Sequence, residues 1–309
     1  MENVIECRGL VKRFGRVWAL RGLDLSVPRG RVFGFIGPNG AGKTTTIRIC
    51  LGLLRPDAGE VRLFGEYPWN NPDVRALVGV LHEQMAFPEH LRVRRFLEHV
   101  ARIYGVEKPR EAAASVLKVV ELDEAADRKI SALSAGMRQR LGIAQALIHG
   151  PELVIADEPT ASLDPLGRME ILNLMARLHK EEGVSFFISS HILPELARIC
   201  DHIALIHEGK VRISGELDEL MDKFGRAFRI SVNRPEELLK HVKELPYVRA
   251  AYIMGSELMV EVEEGSEAQF YADATGLARE LGLELYGIES RVATLEDLFK
   301  RIVRGSGGE

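Results

Sequence analysis

The chain has 309 residues, 46% of them hydrophobic and 28% charged, with a formal net charge of −4, which is enough for a sizeable core and for two domains or one domain with an appendage. It holds no run of 18 apolar residues and starts without the basic and apolar regions of a signal peptide, so no bilayer-spanning helix or leader is expected. Residues 216–309 carry 12 Lys+Arg against 19 Asp+Glu and the rest carries 29 against 26, so neither part has the concentrated basic face of a nucleic-acid binder.

In chain order, 5–10 and 23–27 read as strands with a polar turn near 11–15. Phe14, beside Gly15 in that turn, is by itself a satellite core residue. Cys7, Cys50 and Cys200 are far apart and in no metal-like spacing, which suits small core residues in a reducing cytoplasm. The apolar run 32–36 suits a buried parallel strand. It enters Gly37-Pro38-Asn39-Gly40-Ala41-Gly42-Lys43-Thr44-Thr45, which fits G-x-x-x-x-G-K-[ST]. A helix over 44–54 then carries Ile47, Leu51 and Leu54 at helical spacing.

That pattern suits a polyphosphate. Backbone N–H groups must curl tightly around it, which calls for residues without a Cβ. The helix start adds N–H donors and a positive dipole end. Lys43 brings a full charge to the terminal phosphates, and the Thr44 hydroxyl can ligate Mg²⁺. Strand, loop and helix in this order separate the pattern from a glycine-rich surface turn.

A strand at 60–65 follows, and 75–81 leads into His82-Glu83-Gln84. Apolar residues from Val93 to Tyr104, and again after Pro109, fall at helical spacing, so about 85–150 reads as a helical subdomain. Ser134 suits the N-cap of a helix over 135–149, and Gly136 permits close approach to its backbone. Spacing alone leaves a plain capped helix equally open. The strand 152–156 ends at Asp157-Glu158. Paired carboxylates at a buried strand end are costly without a cation. Asp157 would hold Mg²⁺ or its water and Glu158 would act on an attacking water, a solvated turn being the alternative. The strand 184–190 delivers His191 at its carboxyl end, where ligands collect in parallel sheets. Strands at 202–207 and 210–215 close this part.

After a linker at 216–226 comes strand 227–232, helix 235–245, strands 248–254 and 258–262, helix 267–281 and strand 283–289. This βαββαβ succession reads as ferredoxin-like. A closing helix is expected at 294–303, with a flexible tail at 304–309.

Together and in order, these motifs resemble the ATP-binding subunits of ABC transporters, over about residues 3–215. Phe14 resembles the adenine-stacking aromatic, residues 37–45 the Walker A loop, and Leu133-Ser134-Ala135-Gly136-Met137 the signature. Leu153 to Glu158 is similar to Walker B with its catalytic Glu, Ser162-Leu163-Asp164 to the D-loop, and His191 to the switch histidine. Glu83 stands where the family usually has Gln, with Gln84 next, so either is a candidate near Mg²⁺. The resemblance implies an α/β P-loop NTPase fold with helical and antiparallel β subdomains, and members of the family often carry a small α+β C-terminal domain like this one. No His, Cys or carboxylate cluster in that domain has metal spacing, which favours dimer stabilisation over regulation or ligand sensing. The resemblance also implies an ATPase using ATP and Mg²⁺, with Ser134 and Gly136 of a second copy facing the γ-phosphate. The partner would be a separate transmembrane permease of the export-type (ABC-2) branch, holding the subunit on the inner face of the membrane. The rivals are a soluble mechanical ATPase, disfavoured by the single cassette, and a non-hydrolysing nucleotide switch, disfavoured by Glu158 and His191.

Overall fold

The computed structural model describes residues 2–222, 226–263, 265–292 and 299. The helix expected at 294–303, apart from Phe299, and the tail at 304–309 lie outside the described residues. The chain divides into two units, Met1–Leu217 and Asp218–Glu309.

The first unit begins with β1 (Asn3–Phe14), β2 (Val17–Pro28), β3 (Val32–Ile36), α1 (Lys43–Cys50), β4 (Ala58–Leu63), α2 (Pro72–Ala76) and β5 (Val78–Leu81). The helical stretch α3 (Val93–Ile103), α4 (Pro109–Val119) and α5 (Ala135–Leu147) follows. The unit ends with β6 (Leu153–Asp157), α6 (Pro165–Glu182), β7 (Ser185–Ser190), α7 (Leu193–Leu196), β8 (His202–His207) and β9 (Lys210–Glu216).

A six-stranded sheet in the order β5-β6-β7-β3-β8-β9 carries the unit. Its first five strands are parallel, and β9 returns antiparallel to β8. Strands β3, β6 and β7 are buried along their whole length, as parallel strands covered on both faces must be. Phe33 and Phe35 pack on Phe187 across two of them, with ring centroids 5.7 and 5.4 Å apart. The order β6-β7-β3 sets three carboxyl ends side by side. The carboxylate pair, His191 and the glycine-rich loop, separated by many residues in the chain, therefore emerge at one edge.

A second, antiparallel sheet has the order β2-β1-β4. β1 and β2 are twelve residues each, longer than the stretches 5–10 and 23–27. Their register slips at Cys7/Leu10 and Lys12/Arg13, among other places. Such bulges break the two-residue alternation that marks a strand in sequence. Helix α6 is a further difference, since the sequence pattern does not single it out. Asp164 caps it, Pro165 opens it, and Ile171, Leu172, Leu174, Met175 and Leu178 are its buried stripe.

Part of the segment 216–226 is helical. It contains α8 (Leu217–Asp222), with Leu217 and Leu220 buried. The second unit continues with β10 (Arg226–Val232), α9 (Pro235–Val242), β11 (Val248–Met254), β12 (Glu257–Val262), α10 (Glu267–Glu280) and β13 (Leu285–Val292). Its sheet is antiparallel in the order β11-β12-β10-β13, the ferredoxin-like βαββαβ succession. Phe228, Ile230, Leu258, Val260 and Phe270 fill its core. The last strand begins two residues later than its pattern, because Leu283 is buried in that core before the ladder starts.

Candidate functional site

The glycine-rich loop leaves β3 and wedges under its neighbours. A Cβ on Gly37 would sit 2.3 Å from the Ile206 carbonyl oxygen. Gly42 has φ +111°, and a Cβ there would lie 2.7 Å from the Ala19 carbonyl oxygen, so both conformation and space demand glycine. Gly42 is also the N-cap of α1, and no side chain caps that helix. The first turn thus offers its backbone donors to whatever lies in the loop. Lys43 is buried, and its Nζ donates to the carbonyls of Gly37 at 2.7 Å and Pro38 at 3.2 Å. The same Nζ lies 3.1 Å from Glu158 Oε1.

The two carboxylates at the end of β6 are both buried. Ser189 Oγ donates to Asp157 Oδ1 at 2.6 Å and accepts from the Glu158 N–H at 3.0 Å. The Glu158 N–H also points to the Ser189 carbonyl at 3.2 Å. His191 Nδ1–H donates to Glu158 Oε2 at 2.8 Å, the assignment an ionised carboxylate requires because it can only accept. Glu158 has φ +48°. A non-glycine residue in that region carries about 1–3 kcal/mol of strain and persists only where its surroundings over-determine it. Here the Ser189 contacts, His191 and Lys43 do so.

A cavity of about 350 Å³ gathers most of these groups. Its lining includes Phe14, Asn39, Gly40, Gly42, Lys43, Thr44, Thr45, Glu83, Glu158 and His191, together with Val17, Ala19 and Ala161. Gly37, Pro38 and Ala41 build the loop behind it, and Asp157 lies buried beside Glu158. Glu83 and Gln84 are both exposed, and of the two only Glu83 lines the cavity. Phe14 is 50% exposed, so it is a wall of the cavity and not a satellite core residue. The strand end that carries it is tied down by Asp57, which accepts from Lys12 Nζ at 2.8 Å and from the Arg13 N–H at 2.7 Å. Those bonds, the Lys12 one first, hold the Asp57 carboxyl below its ordinary range.

Three further candidates, Ser134, Gly136 and Asp164, also lie outside the cavity lining. Ser134 is the N-cap of α5, and its Oγ accepts from the Met137 N–H at 3.3 Å. Gly136 lies in the first turn of that helix, with nothing within 4 Å of an added Cβ. Asp164 caps α6 by accepting from the Gly167 N–H at 2.7 Å. Sequence reasoning passes over Ser189, Thr160, Arg168 and Glu195, whose contacts with this region are made across the fold. Only the run of strand serines before His191 hints at the first of them.

The parallel sheet and its glycine-rich loop define the P-loop NTPase class. Residues 20–161 match the family described as ABC transporter. The chain is 42% identical over 212 residues to the bacitracin transport ATP-binding protein BcrA of Bacillus licheniformis, covering 68% of this chain and 69% of the relative. It is 33% identical over 309 residues to BcrA of Enterococcus faecalis, covering 99% and 98%. A dimeric post-hydrolysis structure of the ATP-binding cassette MJ0796 bound to ADP and Pi superposes with a TM-score of 0.61 at 26% identity, over 69% of this chain and 98% of that one. The chain belongs to the ABC transporter family as one of its ATP-binding subunits, and it is an ATPase.

Proposed function

We propose that this ATPase binds ATP between two copies of itself and drives a separate transmembrane permease that exports its cargo. The observation that carries the reading is the convergence of Lys43, Glu158 and His191 on one cavity at the end of β3, β6 and β7. Residues 37–45 hold the triphosphate through backbone N–H groups and the Lys43 charge, and Phe14 stacks on the base. Glu158 orients the attacking water and accepts its proton, at a carboxylate already aimed by His191. His191 and Lys43 stabilise the charge that spreads over the transferred phosphoryl oxygens. Ser134 and Gly136 of the second copy close the site, with a helix N-terminus facing the γ-phosphate and Asp164 lining the junction.

The residues present fit Mg²⁺. Thr44 and the buried Asp157 would supply a hydroxyl and a carboxylate oxygen, the hard donors this ion prefers, and Glu83, which lines the cavity with Thr44, would be a third oxygen donor. Among the described residues no group of three or more His, Cys, Asp or Glu could hold a metal ion by itself; an ion bound by one or two protein oxygens plus substrate phosphates needs none. When bound, Mg²⁺ supplies positive charge to the phosphate oxygens.

No helix among the described residues is long and apolar enough to cross a membrane. In this reading a separate permease carries the transport path, and membrane association runs through it. The similarity to proteins named for bacitracin transport favours an antibiotic-like cargo. A phosphate-release assay with Mg²⁺ and ATP tests the reading. Glu158→Gln should bind ATP and fail to turn it over. Turnover at the parental rate in that variant would remove Glu158 from its role.

A further inference from the structure

The proposed water-orienting carboxylate sits in a strained backbone conformation, and the bonds nearest to it are only part of what holds it. Directly after Glu158 the chain makes two tight turns, with Ala161 N–H on the Glu158 carbonyl at 3.2 Å and Leu163 N–H on the Thr160 carbonyl at 3.1 Å. Thr160, between them, is 2% exposed. A hydroxyl so deeply buried needs a partner. Its Oγ1 donates to Glu195 Oε2 at 3.1 Å.

Glu195 stands on α7, four positions after His191. Its other oxygen, Oε1, lies 3.3 Å from Arg168 Nη1. Arg168 belongs to the first turn and a half of α6, and its Nε donates back to the Leu163 carbonyl at 2.8 Å. One carboxylate thus joins three segments: the turn after Glu158, the start of α6 behind the Ser162-Leu163-Asp164 loop, and the segment that carries His191. The pair Glu195–Arg168 is mostly shielded, with side-chain exposures of 18% and 28%, so it keeps more strength than a surface pair would. The bond from His191 to Glu158 and the bond from Glu195 to Thr160 run between the same two segments, one at the cavity and one behind it.

We propose that Glu195 is a positioning residue for hydrolysis, clamping the turn after Glu158 and the start of α6 to the His191 segment so that Glu158 keeps its strained aim. The inference rests on the reading of Glu158 and His191 given above. It says that ATP binding, which depends on residues 37–45, is separable from the clamp. A displacement of about 1 Å at a reacting group can cost roughly 100-fold in rate.

The test uses the full chain and steady-state phosphate release, with thermal melting alongside. Thr160→Val, which removes one donor at constant volume, and Glu195→Ala should lower kcat at least about tenfold while the ATP KM stays within about twofold and the melting point stays near the parent's. Arg168→Gln and Glu195→Gln should each lower kcat, and the double variant should be no slower than the slower single one, because both break the same pair. Parental kcat in Thr160→Val and Glu195→Ala, or effects of Arg168→Gln and Glu195→Gln that multiply, would overturn the clamp. So would a fall in kcat that only follows a lowered melting point. Glu158→Gln serves as the reference. If it is inactive while the Glu195 variants are normal, the clamp alone fails; if it hydrolyses ATP normally, the catalytic reading fails first.

Discussion

Helices α1 and α5 both begin at small residues and carry no acidic side chain in the first turn, yet their starting points differ in every other respect. Helix α1 starts at a left-handed glycine with no side-chain cap, and its first residue is a buried lysine that lines the cavity. Helix α5 starts at an exposed serine that already satisfies one of its own N–H groups. A free helix start next to a lysine is an anion site in a single chain. A capped and exposed start becomes one only when another molecule is brought against it. The contrast separates binding, which in the proposed reading begins on one copy, from turnover, which the proposed dimer would complete.

Perturbing the α5 start should give the largest and most selective effect. Gly136→Asp fits sterically, since an added Cβ meets nothing within 4 Å. It places a negative charge where the partner's γ-phosphate would approach. Phosphate release should fall about 100- to 1,000-fold while single-chain ATP affinity stays near parental. An unchanged rate would remove α5 from the site. Perturbing the α1 start should act on binding instead. Lys43→Ala should weaken ATP binding about 100-fold or more by calorimetry, and parental affinity would break the comparison from the other side. Phe14→Ala sharpens it further. Loss of base stacking, roughly 1–3 kcal/mol, should weaken ATP but leave inorganic triphosphate unaffected in a competition assay. The smallest change is expected for Glu83→Gln, which should raise the Mg²⁺ concentration needed for half-maximal turnover about tenfold. Gln84→Ala should leave that concentration where it was.

The glycine-rich loop, the apolar strands around it and the βαββαβ order of the second unit are legible because each is written in a local run of residues. The strand-end carboxylates and His191 are legible as candidates for the same reason. Their mutual geometry is not. Ser189 meets Glu158 across 31 positions and Glu195 meets Thr160 across 35, and no local pattern announces either bond. The left-handed backbone at Glu158 runs against the preference of its own residue type. Helix α6 escapes for another reason, because Leu166 and Met169 are exposed apolar residues that blur its buried stripe. Between Glu83 and Gln84 the sequence leaves the choice open. The cavity favours Glu83 by position alone.

The contact between Lys43 and Glu158 has a consequence for affinity. The lysine's charge is already matched by an internal anion 3.1 Å away. A triphosphate that recruits Lys43 would therefore exchange one counter-ion for another, and its binding constant would reflect a difference between two electrostatic attractions. The displaced carboxylate is the group proposed to work on water. Nucleotide arrival and release of that carboxylate from the lysine would then be one event, and a variant without the charge, Glu158→Gln, would hold ATP at least as tightly as the parent.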